Sequence, residues 1–426
     1  LHERYGSMKW SELIEPARKL AAVGFAITFK TSQRMEDHVK VLKMFPESSK
    51  TFLRNGQKLS EGEVFIQPDL AATLKRIQEF GTKEFYEGET AHMIVNEMKK
   101  NGGLITAEDL REYKPLIRKT LTGTYKTYTI ETASPPSSGG IALLQILKML
   151  EPFDLKAAGF QSSDEIHLLV ETMKRVFADR ARFSGDPAFA NIPVETLLSS
   201  KHIDELRSSI QKDRSTPSKE IMDPTVVSKV SGNTTHISIV DRFGNVVAAT
   251  TTLNEGYGSG VTVSGAGFLL NNEMDDFTTE PGKPNLYGLI QGEGNAIQPG
   301  KRPASSMTPT IVLKNNKPFM VLGSPGGSRI PTAVAQCIIN VVDFGMEPQQ
   351  AVDAPRVHHQ WFPDEIVYES FGLIHDVRKS LEQRGHHFAK RPDSTGSDVH
   401  LVVIDPVTGM KLGAADPRRG GFALGN

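Results

Sequence analysis

The sequence predicts a mixed α+β fold, because its hydrophobic patterning changes character along the chain. Over roughly the first 230 of 426 residues apolar side chains recur mainly at helical spacing; from Thr234 the alternation switches to period two. The 37 glycines and 25 prolines are too many turn residues for an all-helical array, and 38% hydrophobic residues suffice for a large core. Forty-nine Lys and Arg against 50 Asp and Glu leave a net charge of −1, which provides no electrostatic footprint for nucleic acid or an anionic membrane. No stretch approaches the roughly 20 apolar residues that span a bilayer. No Ser/Gly/Pro linker or charge block divides the chain cleanly, which leaves one large interleaved domain open.

The helical half begins with Leu13, Ile14, Ala17, Leu20 and Ala21 on one face behind Ser11 as cap. A second helix opens at Ser60 or Pro68 and carries Leu70, Leu74 and Ile77; a third spans 85–101. Strands are expected within 120–132, a helix over 141–150 and a long amphipathic helix over 163–182. Residues 211–233 are polar, broken by proline and without periodicity, and read as an exposed, mobile connection. A hairpin follows, 234–240 and 246–252 about the turn Asp241-Arg-Phe-Gly-Asn245. Further strands are expected at 267–270, 310–314, 319–323 and 399–404, with Asn315-Asn316 as a turn, and helices over 330–342 and 375–385.

A hydroxyl placed where a polar connection meets a strand becomes an N-terminal nucleophile if the preceding peptide bond breaks. Asn233-Thr234 is such a junction. The Thr234 hydroxyl can attack the Asn233 carbonyl in an N-to-O acyl shift, and hydrolysis of the ester frees an α-amino group of pKa near about 8, an internal general base. In a strand Thr234, His236 and Ser238 share one face, and Thr252 ends the returning strand opposite Thr234. By pattern alone these are ordinary strand threonines. Gly326-Gly327 ahead of a helix can aim two backbone N–H groups into a site, and the segment lacks the Gly-Lys-Ser/Thr ending of a phosphate loop. Cys337, the single cysteine, sits in an apolar run and reads as a buried structural thiol. Adjacent histidines at 358–359 and 386–387 face opposite ways in a strand and lack a third ligand, so no metal is expected. Lys379 and Arg384 read as a solvated helix face.

Five motifs in order carry a resemblance: Asn233-Thr-Thr-His-Ile-Ser-Ile-Val-Asp241 with Thr252-Leu-Asn254, Leu270-Asn-Asn-Glu-Met-Asp-Asp-Phe277, Lys301-Arg-Pro-Ala-Ser-Ser-Met-Thr-Pro309 and Gly323-Ser-Pro-Gly-Gly-Ser-Arg329. Together they resemble the small subunit of γ-glutamyltransferases (glutathione hydrolases). Upstream, Asn101-Gly-Gly-Leu-Ile-Thr-Ala-Glu-Asp-Leu110 and Pro135-Pro-Ser-Ser-Gly-Gly140 resemble that family's large subunit, so the likeness covers essentially the whole chain. It implies an N-terminal nucleophile hydrolase fold, a four-layer αββα sandwich with large and small subunits interleaved in one domain. Residues 1–233 would be the large-subunit part and 234–426 the small catalytic subunit, a heterodimer made from one precursor by cleavage at Asn233-Thr234.

The resemblance further implies Thr234 as nucleophile, supported by the Thr252 hydroxyl, with Gly326 and Gly327 as the oxyanion hole. Asn254, Glu273 and Asp276 match residues that hold a donor's α-amino group. Ser305 and Ser306 match those that bind its α-carboxylate, and Tyr287 matches a lid tyrosine in the long Gly- and Pro-rich loop 281–292. The family also uses an arginine from the opening portion of its large subunit, for which no motif here offers a counterpart; the chain reads as if it begins within the domain. The implied reaction moves a γ-glutamyl group from glutathione or a related amide to water, an amino acid or a peptide, with no cofactor, outside the cytoplasm (periplasmic or secreted). A cephalosporin or glutaryl acylase of the same fold is the enzymatic alternative. An unprocessed, non-catalytic scaffold is the other.

Overall fold

The computed structural model describes residues 1–222, 234–283, 285, 288–391 and 396–425. The chain divides into two compact units, Leu1–Ile117 with Glu255–Asn272, and Arg118–Asn254 with Glu273–Asn426. Both sides of the Asn233-Thr234 junction therefore contribute to the second unit.

The first unit is mainly helical, with one short antiparallel pair, Phe25–Ala26 against Val64–Phe65. Its helix Trp10–Val23 starts one residue before the expected Ser11 cap, on Lys9 with no side-chain cap, while Pro68 occupies the first turn of Pro68–Phe80, where a missing N–H costs nothing. The single helix expected over 85–101 is two, Thr82–Glu87 and Glu89–Asn101. The break has a local cause: the Glu84 carboxylate folds back to accept the N–H groups of Glu89 and Thr90, capping the second helix, and a Cβ on Gly88 would lie 2.2 Å from that carboxylate. The strand expected at 267–270 does not form. Gly265 and Gly267 have φ of +75° and +76°, which interrupts a pleat, and only Leu269 makes an isolated bridge, to Thr262.

In the second unit, eight strands and three helices position the site. They are β1 Leu121–Tyr125, β2 Tyr128–Thr132, α1 Gly139–Leu150, α2 Ser163–Phe183, β3 Thr234–Val240 and β4 Val246–Thr252. After these come β5 Thr310–Lys314, β6 Lys317–Gly323, α3 Ile330–Val342, β7 His400–Ile404 and β8 Lys411–Ala415. Six strands form one antiparallel sheet in the order β8-β7-β6-β5-β2-β1, and β3-β4 is a separate hairpin. The β5–β6 turn places Asn315 and Asn316 at φ of +51° and +60°, the left-handed pair a tight hairpin requires. β8 carried no sequence signal, because Lys411-Leu-Gly-Ala-Ala415 has neither alternation nor β-branched residues.

Met320 and Leu322 point from β6 into the main hydrophobic core with α1, α2 and α3, so Val321 and Gly323 face the opposite side. The β3–β4 hairpin lies there, against β6, β5 and β7. Its inner face is polar (Thr234, His236, Ser238), whereas Ile237 and Ile239 are half exposed, an inversion of the usual strand pattern. Cys337 is fully buried in the core, and burial pushes its thiol up to about 11.

α2 departs from the amphipathic surface helix expected. Ser162 caps it as a side-chain acceptor, but most of its polar residues, Glu165, His167, Glu171, Lys174, Arg175 and Arg180 among them, are buried along with its apolar ones, while Asp164 and Arg182 near its ends are exposed. Glu171, Lys174 and Arg175 bind the chain at 209–216: Lys174 Nζ donates to Ser215 Oγ at 2.7 Å, and Arg175 donates to Ser209 and Thr216. Ser218 is fully buried, and its carbonyl accepts from the Trp361 indole at 2.9 Å. The stretch 211–222 is thus exposed at 212–214, Pro217, Lys219 and Glu220, as expected, but anchored at Ser215, Thr216 and Ser218, where a buried ionic network supplies backbone and side-chain partners. Residues 223–233 lie outside those described.

Candidate active site

The hairpin register brings the two threonines together. β3 and β4 pair from Thr234↔Thr252 through Val240↔Val246, and the Asp241 carboxylate closes the turn by accepting the N–H groups of Phe243 and Asn245. Thr234 Oγ1 donates to Thr252 Oγ1 at 3.2 Å, and Thr252 Oγ1 also accepts the Asn254 N–H at 2.8 Å. One hydroxyl thereby anchors both the start of β3 and the turn after β4. Asn233, the other half of the junction, lies outside the described residues.

His236 backs this arrangement. Ser238 Oγ donates to the His400 carbonyl at 3.0 Å, so toward His236 Nε2 at 3.1 Å it acts as acceptor. The ring then carries its proton on Nε2, and Nδ1 accepts from Thr250 Oγ1 at 2.7 Å. Burial pushes His236 down to about 3, which keeps it neutral.

Asn254 sits at φ +74° with 1% exposure, a left-handed position that asparagine tolerates better than most residues. A single helical turn of 3₁₀ type, Glu273–Asp276, sets two carboxyl groups against each other. They are hydrogen-bonded side chain to side chain, which needs one shared proton, and burial raises both, Asp276 to about 8.

Ser305 and Ser306 are held by the 135–140 loop. Ser138 donates from N and Oγ to the Ser305 carbonyl at 2.8 Å each, Ser305 N donates to Pro136 O at 3.1 Å, and Ser137 Oγ donates to Met307 O at 2.6 Å. The glycine pair here is required by close approach. A Cβ at Gly139 would lie 2.5 Å from the Ser306 carbonyl oxygen, and one at Gly140 would lie 1.9 Å from that of Ala133. Gly326, at φ +136°, and Gly327, at φ +57°, turn the chain from β6 into α3, with Gly326 packed under Gly396.

A small solvent-open pocket gathers Thr234, Thr252, Asn254, Asp276, Ser305, Ser306 and Gly327 in its wall. Gly326 and Glu273 are not in that wall; each adjoins a residue of its own turn that is. Tyr287 lies outside the described residues, though Asn285 and Leu289 of the same loop line the pocket. Arg180, on α2, also lines it and donates from Nη2 to Ser306 Oγ at 3.1 Å. Sequence reasoning missed Arg180: in Ala178-Asp-Arg-Ala-Arg-Phe183 nothing separates a buried arginine from a solvated one. His358 and His359 serve packing, His358 bonding Thr332 and Gln360, and His359 facing Asp364 at 3.3 Å. Among the described residues no helix is long and apolar enough to cross a membrane.

Comparison with known proteins places this geometry. The Gamma-glutamyltranspeptidase family model matches residues 1–426. The chain is 42% identical over 417 residues to the "Glutathione hydrolase proenzyme" of Escherichia coli (strain K12), covering 98% of this chain and 71% of that protein. It is 35% identical over 412 residues to the "Acylase ACY 1 proenzyme" of Pseudomonas sp. (strain V22), covering 97% and 70%. Among solved structures, cephalosporin acylase from Bacillus halodurans superposes with a TM-score of 0.85 at 26% identity, over 98% of this chain and 74% of that one. The mixed α+β fold is that of these N-terminal nucleophile hydrolases, and the chain belongs to the gamma-glutamyltranspeptidase family of glutathione hydrolases.

Proposed function

We propose that this pocket transfers the γ-glutamyl group of glutathione or a related γ-glutamyl amide to water, an amino acid or a peptide through an ester on Thr234 Oγ1. The observation that carries the reading is one pocket wall holding a threonine hydroxyl pair, the Asp276 member of a protonatable carboxylate pair and a serine pair backed by a guanidinium. A γ-glutamyl donor bears an ammonium and a carboxylate on one carbon, three bonds from the scissile amide carbonyl, and needs all three features at once.

In the proposed sequence Thr234 Oγ1 first attacks the Asn233 carbonyl, and hydrolysis of the resulting ester frees the Thr234 amine. The cut separates 1–233 from 234–426, but β2 of the first piece stays hydrogen-bonded to β5 of the second, which supports a lasting heterodimer. The amine then takes the hydroxyl proton as Oγ1 attacks the donor's γ-carbonyl. Backbone N–H groups of Gly326 and Gly327 hold the developing oxyanion. The amine's proton passes to the departing nitrogen, and water or an acceptor amine cleaves the ester. Asn254, Glu273 and Asp276 hold the α-ammonium; Ser305 and Ser306 hold the α-carboxylate; Tyr287 closes the lid. The finer architecture proposed is the four-layer αββα sandwich, with the six-stranded sheet as one β layer and the β3–β4 hairpin in the other. An extracytoplasmic location rests on the family resemblance alone, and fractionation of expressing cells tests it.

The first test is an intact mass under denaturing conditions beside Thr234→Ala. Cleavage leaves roughly 26 and 21 kDa of the 46.8 kDa chain, in the wild type only. A single uncut species sinks the self-processing scheme and favours the scaffold. With cut protein, turnover of a γ-glutamyl anilide well above a glutaryl anilide supports the reading; the reverse order favours the acylase.

A further inference from the structure

A guanidinium offers five N–H donors and no acceptor. Arg180 is 6% exposed, spends one donor on Ser306 Oγ at 3.1 Å, and its Nε and Nη1 meet no acceptor among the described residues. It forms no ion pair among those residues either. Asp276 is near enough for each charge to shift the other, yet burial dominates and pulls Arg180 down to about 10, still a cation at neutral pH. A buried cation without a paired anion is costly, and such a cost persists where an arriving ligand relieves it.

The direction of the Ser306 bond adds a constraint. Because the guanidinium can only donate, Ser306 Oγ is the acceptor, and its own hydrogen is left to be given elsewhere. Ser306 Oγ has no second partner among the described residues, and the pocket is open beside it. Nε and Nη1 are closed off from solvent, so an anion entering the pocket meets the serine rather than those nitrogens.

We infer that Arg180 is the positioning residue of the carboxylate end: it orients the Ser306 hydroxyl as a donor into the pocket and supplies from beneath the positive charge that balances the substrate's α-carboxylate. The assignment rests on the γ-glutamyl reading. It makes Arg180 the selector for acyl groups that end in a carboxylate, acting on the neighbouring ammonium only through its smaller charge effect on Asp276.

The test uses the matured full chain and competitive inhibition of γ-glutamyl p-nitroanilide turnover by three amides. L-glutamine carries both groups, glutaramic acid lacks the amine, and 4-aminobutyramide lacks the carboxylate. Arg180→Gln is expected to raise the inhibition constants of the first two by about 10- to 100-fold and to leave the third within about 2-fold, with Arg180→Lys recovering much of the loss. Equal weakening of all three, or no change, overturns the assignment while leaving the γ-glutamyl reading standing. If Arg180→Gln does not mature, the cycle of Arg180→Lys with Ser306→Ala decides. Combined effects on glutaramic acid below the product of the single ones support action through Ser306, and independent effects overturn it. A wild-type chain that matures but turns over no γ-glutamyl anilide overturns the γ-glutamyl reading and this assignment together.

Discussion

The imidazole of His236 lies against the backbone of Gly323 so closely that a Cβ there would fall 2.2 Å from a ring carbon. His236 follows Thr234 by two residues on β3, and Gly323 precedes Gly326 by three at the end of β6. This contact therefore sets the separation between the hydroxyl and the glycine turn. The ring cannot yield easily, since Thr250 and Ser238 hold both its nitrogens.

Gly323→Ala is accordingly expected to push the hairpin off the sheet. The glycine is not in the left-handed region, so the effect is steric and not a matter of backbone strain. Overpacking of this kind costs about 1–3 kcal/mol, to be read as a lowered melting temperature, and kcat should fall more than KM changes. A variant with normal melting and normal kcat would show that hairpin and turn are not coupled through this contact.

Thr252 is expected to matter through its oxygen rather than its shape. Thr252→Val keeps the volume but removes the acceptor used by Thr234 and by the Asn254 N–H; loss of about 2–3 kcal/mol of oriented hydrogen bonding predicts a roughly 30- to 150-fold slower maturation and turnover. Thr252→Ser should retain most of both. Time courses of precursor conversion on gels check this, and a Thr252→Val protein that matures at the wild-type rate removes the hydroxyl from the scheme.

The Glu273–Asp276 pair predicts a pH dependence specific to amine-bearing donors. Burial holds a proton on Asp276 up to about pH 8, and an arriving ammonium favours the ionised pair, so binding releases that proton. KM for a γ-glutamyl anilide should rise as pH drops below about 8, whereas a glutaryl anilide should lack that limb, as should Asp276→Asn. The stability consequence has a definite sign. Between an unfolded pKa near 4 and a native one near 8 the native state binds more protons than the unfolded chain, so stability declines as pH rises through that window. Asp276→Asn should therefore gain in melting temperature, relative to wild type, from pH 5 to pH 9. Parallel melting curves for the two proteins would contradict a shared proton.

Much of the frame was legible without coordinates, since the elements that matter most carry strong local signals. The β3–β4 hairpin and α3 fall at the expected residues, because strict alternation about Asp241-Arg-Phe-Gly-Asn245 and an unbroken apolar run each allow one local structure. Motif order alone pointed to Thr234, Thr252, Asn254, Asp276, Ser305, Ser306 and Gly327, which the fold gathers around one pocket. By contrast the break at Gly88, the failed strand at 267–270 and the anchored residues within 211–222 each depend on a partner that periodicity does not name.

What the sequence by itself determined is the class of chemistry, the nucleophile strand and its register, because spacing along one chain settles which side chains share a strand face and which rungs meet across a tight turn. What only the tertiary structure decided is the environment of those groups: the close approach at Gly139 and Gly323, the shared proton of Glu273 and Asp276, and the buried charge of Arg180 beneath Ser306. Burial and electrostatic coupling are sums over neighbours distant in sequence, and a charged residue on a helix reads the same whether its face meets solvent or, as on α2, the floor of a pocket.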